Sequence, residues 1–135
     1  MFDFFDASKR HYNDAKFLQN DNRLPNAAQL FGFAAECGMK ALIEKISGQS
    51  LDLKYYKHVD GLIKLLPSLS TLANGRMAGT YLAMISGFNA FGTWTTHHRY
   101  MSETDIPLAD LPTWAAASAE VQKMLQQAQL DGVLK

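Results

Sequence analysis

Cysteine is nearly absent from this chain. Cys37 is the only one in 135 residues, so no intrachain disulfide can form and a multi-cysteine zinc site is excluded. It sits in AAECGMKALI, an apolar run of helical character, and reads as a small buried hydrophobe rather than a reactive thiol. An excess of one charge is missing too. Lys and Arg number 13 and so do Asp and Glu, for a formal net charge of zero. That removes the bulk-charge case for a strongly basic nucleic-acid binder or a polybasic membrane binder and leaves only local patches. No apolar run approaches the roughly 18–20 residues needed to span a bilayer. The start, MFDFFDASKR, carries early acids and no apolar core segment, unlike a signal peptide. These absences point to a cytoplasmic chain with no membrane partner. Internal repeats, low-complexity stretches and convincing period-two strand patterns are also lacking.

What is present is apolar content of 47% against 19% charged residues. Such a chain folds rather than staying disordered, and its length suits a single domain over residues 1–135 with its own core. Apolar residues recur at helical spacing almost throughout. A first helix is predicted from Asp3 or Asp6 to Leu18, stopped by the polar run Gln19–Asn22. A second starts near Pro25, which suits a first turn, and ends at Gly48, a natural residue beyond a helix end. Its wide apolar surface, from Leu30 to Ile46, predicts a central helix touched on several sides. A third spans Tyr56–Leu66, with Val59, Leu62, Ile63 and Leu66 inward and Pro67 ending or kinking it. A fourth covers Met77–Phe91, where Gly79 and Gly87 either weaken it or let another helix approach closely. Residues 92–109 are irregular. A last helix follows Asp110 as N-cap, with Pro112 in its first turn. The fold class is therefore all-α, an antiparallel bundle of four to five helices.

The densest group of reactive side chains is TWTTHHRYM, residues 93–101. His97 and His98 exchange protons near neutrality, and Arg99 can hold a phosphate in a fork, with Tyr100 beside it. Those are the groups that metal-free RNA cleavage would use, with His97 or His98 as base. Ordinary loop polarity, with Trp94 and Tyr100 anchoring the loop, is the competing reading. Glu36 lies in the most apolar stretch of the chain and needs a partner. Lys40, four residues on in the favourable order, is one candidate. Arg99, reached across the bundle, is the other, and that link would orient the His-His-Arg segment. Arg10 and His11, near Lys9 and Lys16, read as a solvated basic face. His58, opening the third helix, reads as a packing or capping residue. Neighbouring histidines seldom point the same way, so a metal site of His97, His98 and Glu36 is not expected, and no cofactor motif is present.

The segment RHYNDAKFLQNDNRLPNAAQLFGFAAECGMKALIEKISG resembles the first helical hairpin of HEPN proteins. The matching positions are Ala27 or Ala28, Leu30, Ala34, Glu36, Lys40, Ala41 and Leu42. KHVDGLIKLLPSL is similar to the family's third helix, and HHRYM to the Arg-Tyr segment near the end of its bundle. The resemblance covers roughly residues 5–105. It implies a HEPN-like helical domain that forms a homodimer and binds RNA or a nucleotide, in a toxin–antitoxin or phage-defence setting. A nucleotidyltransferase or an antitoxin is the implied partner. From their side-chain chemistry Arg99, Tyr100, Glu36 and Lys40 are the candidate ligand-binding residues, with Arg99 as phosphate contact and Glu36 as orienter. A metal-independent endoribonuclease is one alternative. The active branch's motif, an Arg followed after four to six residues by His, is absent, because His97 and His98 precede Arg99. A protein-interaction module with no nucleic-acid role is the other alternative, and the neutral net charge favours it.

Overall fold

The computed structural model describes residues 1–71, 79–81, 83–84 and 89–134. Helix α1 runs from Phe4 to Asn20 and starts where Asp3 leaves extended backbone and accepts a hydrogen bond from the Asp6 amide at 2.9 Å. A three-residue connection, with Asn22 at φ 60°, reverses the chain into α2, Leu24–Ser47. The two helices are antiparallel, since Tyr12 meets Phe31 while the earlier Ser8 meets the later Ala34. Gly48, at φ 71°, ends α2 in the left-handed conformation that glycine adopts without a Cβ penalty.

Fifteen of the 24 residues of α2 are buried, which makes it the central helix. Its packing rests on two glycines. At Gly32 a Cβ would fall inside the Trp94 indole, and at Gly38 it would strike Val121. Val121 belongs to α4, Leu111–Leu130, which lies against α2 on that side. Ser8, fully buried, pins three helices together. Its hydroxyl donates to the Ala34 carbonyl at 2.6 Å and accepts from the Gln122 amide at 2.8 Å. The described residues share one hydrophobic core, to which Phe31, Leu42, Ile46, Leu62, Trp94 and Trp114 contribute.

Between α2 and α4 the described residues form mostly short turns. A 3-10 turn covers Leu53–Tyr55. Helix α3 is only Val59–Leu62, and 3-10 winding then continues over Ile63–Thr71. Val59, Leu62, Ile63 and Leu66 all point inward as expected. Two expectations are corrected. The helix opens at Val59 rather than Tyr56. Pro67 does not end the helical run, because the chain has already left α-geometry, in which the proline ring would meet the i−4 carbonyl. Most of the expected Met77–Phe91 helix lies outside the described residues. Within it residues 79–81 are helical, while residues 89–91 form a turn, so the helix stops short of Phe91. The irregular stretch resolves into 3-10 turns at Thr96–Tyr100, Glu103–Asp105 and Leu108–Asp110.

Asp110 precedes α4 as expected, yet its side chain does not cap it. The carboxylate instead accepts from the Thr93 hydroxyl at 2.7 Å, tying the start of α4 to the loop before Trp94. At the other end Asp131 accepts from Tyr81 at 2.9 Å and from Gln127 at 2.8 Å. Among the described residues there is no strand, and no helix is long and apolar enough to cross a membrane.

Candidate functional site

Along α2, Asn26, Gln29, Phe33, Glu36 and Lys40 recur at three- and four-residue spacing, so they stack on one helix face. The upper part of this stripe is charged. Glu36 and Lys40 pair at 2.9 Å, with side chains only 10% and 9% exposed. The Lys40 ammonium also lies over the rings of Phe4, at 5.7 Å, and Tyr56, at 5.9 Å. The second Glu36 oxygen stands 3.1 Å from His58 Nδ1. A carboxylate oxygen can only accept, so Nδ1 is the donor when His58 pairs with ionised Glu36.

Both oxygens of Glu36 are thus occupied, and the expected link to Arg99 is not made; the nearer Lys40 and His58 satisfy the buried carboxylate first. The Lys40 pair is as expected, and both of its residues are buried. His58 does hold the N-cap position of α3, without capping it through its side chain. That side chain reaches back to α2, where its ring also lies 6.1 Å from Phe33.

Phe33 is the hinge of the site. His11 lies 6.1 Å from its ring on the α1 side, and Trp94 meets it edge-on at 5.7 Å. His11 therefore leaves the solvated basic face on which it was expected, while Arg10 stays there, paired with Asp6. Burial holds the His11 pKa below the ordinary imidazole value, the neighbouring Arg10 charge adds to this, and Asp14 and Glu36 oppose it. Burial also pushes the Cys37 thiol up to about 11, with the Glu36 charge acting in the same direction.

The His97-His98-Arg99 segment does not converge. Its 3-10 winding turns His98 inward onto Trp114, at 5.8 Å, while His97 and Arg99 face solvent. Burial lowers the His98 pKa, His97 adds to this, and Nδ1 of His98 has no hydrogen-bond partner among the described residues. The Arg99 guanidinium sits 4.8 Å from the ring of the exposed Tyr100. Arg99 also borders a cleft with Asn26, Gln29, Leu30, Phe33 and Leu18. Among the described residues no group of His, Cys, Asp and Glu could hold a metal ion.

In the sequence Phe33 reads only as part of the wide apolar surface of α2, and Gln29 carries no signal beyond its spacing from Glu36. The approach of His58 to Glu36 crosses 22 residues of chain and has no local signal. No family model, no curated protein and no solved structure matches the chain.

Proposed function

We propose that this chain is a HEPN-type protein that binds RNA or a nucleotide as a homodimer, in a toxin–antitoxin or phage-defence setting. The observation that carries the reading is the α2 stripe. It sets a partly exposed aromatic ring, Phe33, between two imidazoles and borders Arg99, which pairs with no carboxylate among the described residues. Aromatic faces stack bases without regard to sequence, and a guanidinium fork suits a phosphate. Neutral net charge limits the number of phosphate contacts, so the salt dependence is expected to be shallow. Fluorescence anisotropy of a labelled single-stranded RNA, titrated from about 50 mM to about 200 mM salt, tests the reading. Binding should weaken with salt, and Arg99→Ala should lower the slope of log K against log salt by roughly 0.7, the share of one single-strand phosphate contact. Absence of binding to RNA and to mononucleotides at the lowest salt leaves the protein-interaction reading standing instead.

The Glu36–His58 pair favours a second reading, a metal-independent endoribonuclease. The Nε2 of His58 would take the proton of a 2′-hydroxyl as that oxygen bonds to phosphorus. The bond from phosphorus to the 5′-oxygen would break, the leaving oxygen taking a proton from water, and the hydroxide so formed would regain it from the protonated His58. Cleavage in the presence of chelator, lost in His58→Ala and lost with a 2′-deoxy substrate, is the expected outcome. An RNA left intact by the wild type disposes of this reading alone.

A further inference from the structure

We infer that the groove between α1 and α4 docks an acidic amphipathic helix of another protein, with one apolar side chain in the groove and an acid about one turn to either side of it. This interaction does not depend on the nucleotide-binding reading. Lys9 and Lys16 precede His11 and Leu18 by two residues, so they lie roughly 160° round α1 from them. His11 and Leu18 border Phe33, so the groove and the Phe33–Arg99 face occupy opposite edges of α1. The groove has two polar rims over an apolar floor of Phe5, Tyr12 and Leu125. Lys9 and Asn13 form the α1 rim, and Lys16 continues it; Gln122, Gln126 and Gln129 form the α4 rim. Both rims step by four and then three residues and run about 10.5 Å along their helices. A partner helix has the same period and can meet both rims in register, as an extended chain cannot.

Charge decides the chemistry of that partner. No carboxylate lines the groove, and neither Lys9 nor Lys16 makes an ion pair among the described residues. Each ammonium instead lies over a ring of the floor, Lys9 5.3 Å from Phe5 and Lys16 5.7 Å from Tyr12. A ring face holds a cation in place without cancelling its charge. The two lysines are seven residues apart, so two acids seven residues apart on a second helix span the same length. The apolar residue midway between those acids then falls over Tyr12. The cavity there, about 220 Å³, is smaller than the roughly 300–1,000 Å³ of small-molecule sites and suits a single inserted side chain. Its α4 wall is fixed from below, because Gln122 donates to the buried Ser8 hydroxyl at 2.8 Å. The partner's pattern is therefore an acid, an apolar residue three or four positions on, and a second acid seven positions after the first.

The test uses the intact nitrogen-15-labelled chain and a capped, alanine- and glutamine-based helical peptide of about five turns. The peptide carries two glutamates seven residues apart and a leucine four residues after the first. It should shift the backbone amides of Lys9, Asn13 and Lys16 and the side-chain amides of Gln126 and Gln129, and leave the Phe33 and Arg99 amides in place. Alanine in place of the leucine should weaken binding about tenfold or more. Lys9→Glu combined with Lys16→Glu, both at exposed positions, should also weaken it at least about tenfold. A peptide with lysines in place of the glutamates should bind that variant and not the wild type, a rescue that damage to the fold would not give. No shift at about millimolar peptide overturns the inference, as does equal affinity in the charge-reversed variant. If RNA moves the rim resonances and the peptide does not, the face belongs to nucleic acid and the inference falls. It falls too if the double reversal changes the sedimentation of the chain alone, because the occupant is then a second copy.

Discussion

His58 Nδ1 stands 3.1 Å from Glu36 Oε1, and on the other side of the same carboxylate Lys40 Nζ stands 2.9 Å from Oε2. One acid on the central helix thereby satisfies a cation from its own next turn and an imidazole delivered by a distant loop. Lys40 is the member that cannot do without it, because its ammonium is nearly fully buried and, among the described residues, lies besides over the rings of Phe4 and Tyr56.

The first expected outcome follows from that imbalance. Glu36→Ala leaves Lys40 buried without its counter-charge and should cost on the order of 3 kcal/mol in urea unfolding. Arg99→Ala, at a solvent-facing position, should stay within about 0.5 kcal/mol. Equal losses in the two variants would restore the Glu36–Arg99 link that the geometry rejects.

The two outcomes also mark what the sequence could reveal. Helix ends at Asp3, Pro25, Gly48 and Pro112 were legible because caps and breakers act within one turn. The Glu36–Lys40 pair was legible for the same reason. His58, His11 and Phe33 meet only after α1, α2 and the loop before α3 have packed, so no spacing rule could assemble them. Which of His97 and His98 turns inward had no signal in the sequence, because one turn of 3-10 winding decides it.

Acid should destabilise the fold through those inward imidazoles. Burial lowers the pKa of both His11 and His98, so the folded state binds fewer protons than the unfolded state as pH falls through the ordinary imidazole value near 6.5. Stability is then full above that value and is lost on acidification, with the whole penalty present below the folded pKa values. Urea midpoints should drop between about pH 7.5 and about pH 5.5. His98→Phe keeps a ring against Trp114 and removes a titrating group, so its drop should be smaller. A variant with an unchanged drop would show that His98 contributes none of it.

Cys37 should be slow to alkylate. With its thiol pushed up to about 11, the thiolate is scarce at neutral pH. Iodoacetamide should modify the native protein far more slowly than the urea-unfolded chain, where the ordinary thiol value of about 8.5 returns. Equal rates would contradict both the burial and the repulsion from Glu36.

Glycine-to-alanine changes at two helical positions should move stability in opposite directions. Alanine is favoured over glycine inside a helix by about 1 kcal/mol. At Gly61, in α3, the added Cβ would meet only the Lys57 side chain, no closer than 3.5 Å, so that preference should appear as a gain. At Gly32 the same methyl would overlap the Trp94 indole. Trp94 cannot simply retreat, since its Nε1 donates to the Ala28 carbonyl at 3.0 Å and its ring is 1% exposed. Overpacking costs typically about 1–3 kcal/mol, enough to outweigh the helix preference. Displacing Trp94 would also take Thr95 away from Gln29 and shift Arg99 relative to α2, so ligand affinity should fall along with the melting temperature. Thermal melts followed by tryptophan fluorescence check both signs. A Gly32→Ala protein as stable as wild type, with unshifted tryptophan emission, would mean that Trp94 does not lie against α2 as described.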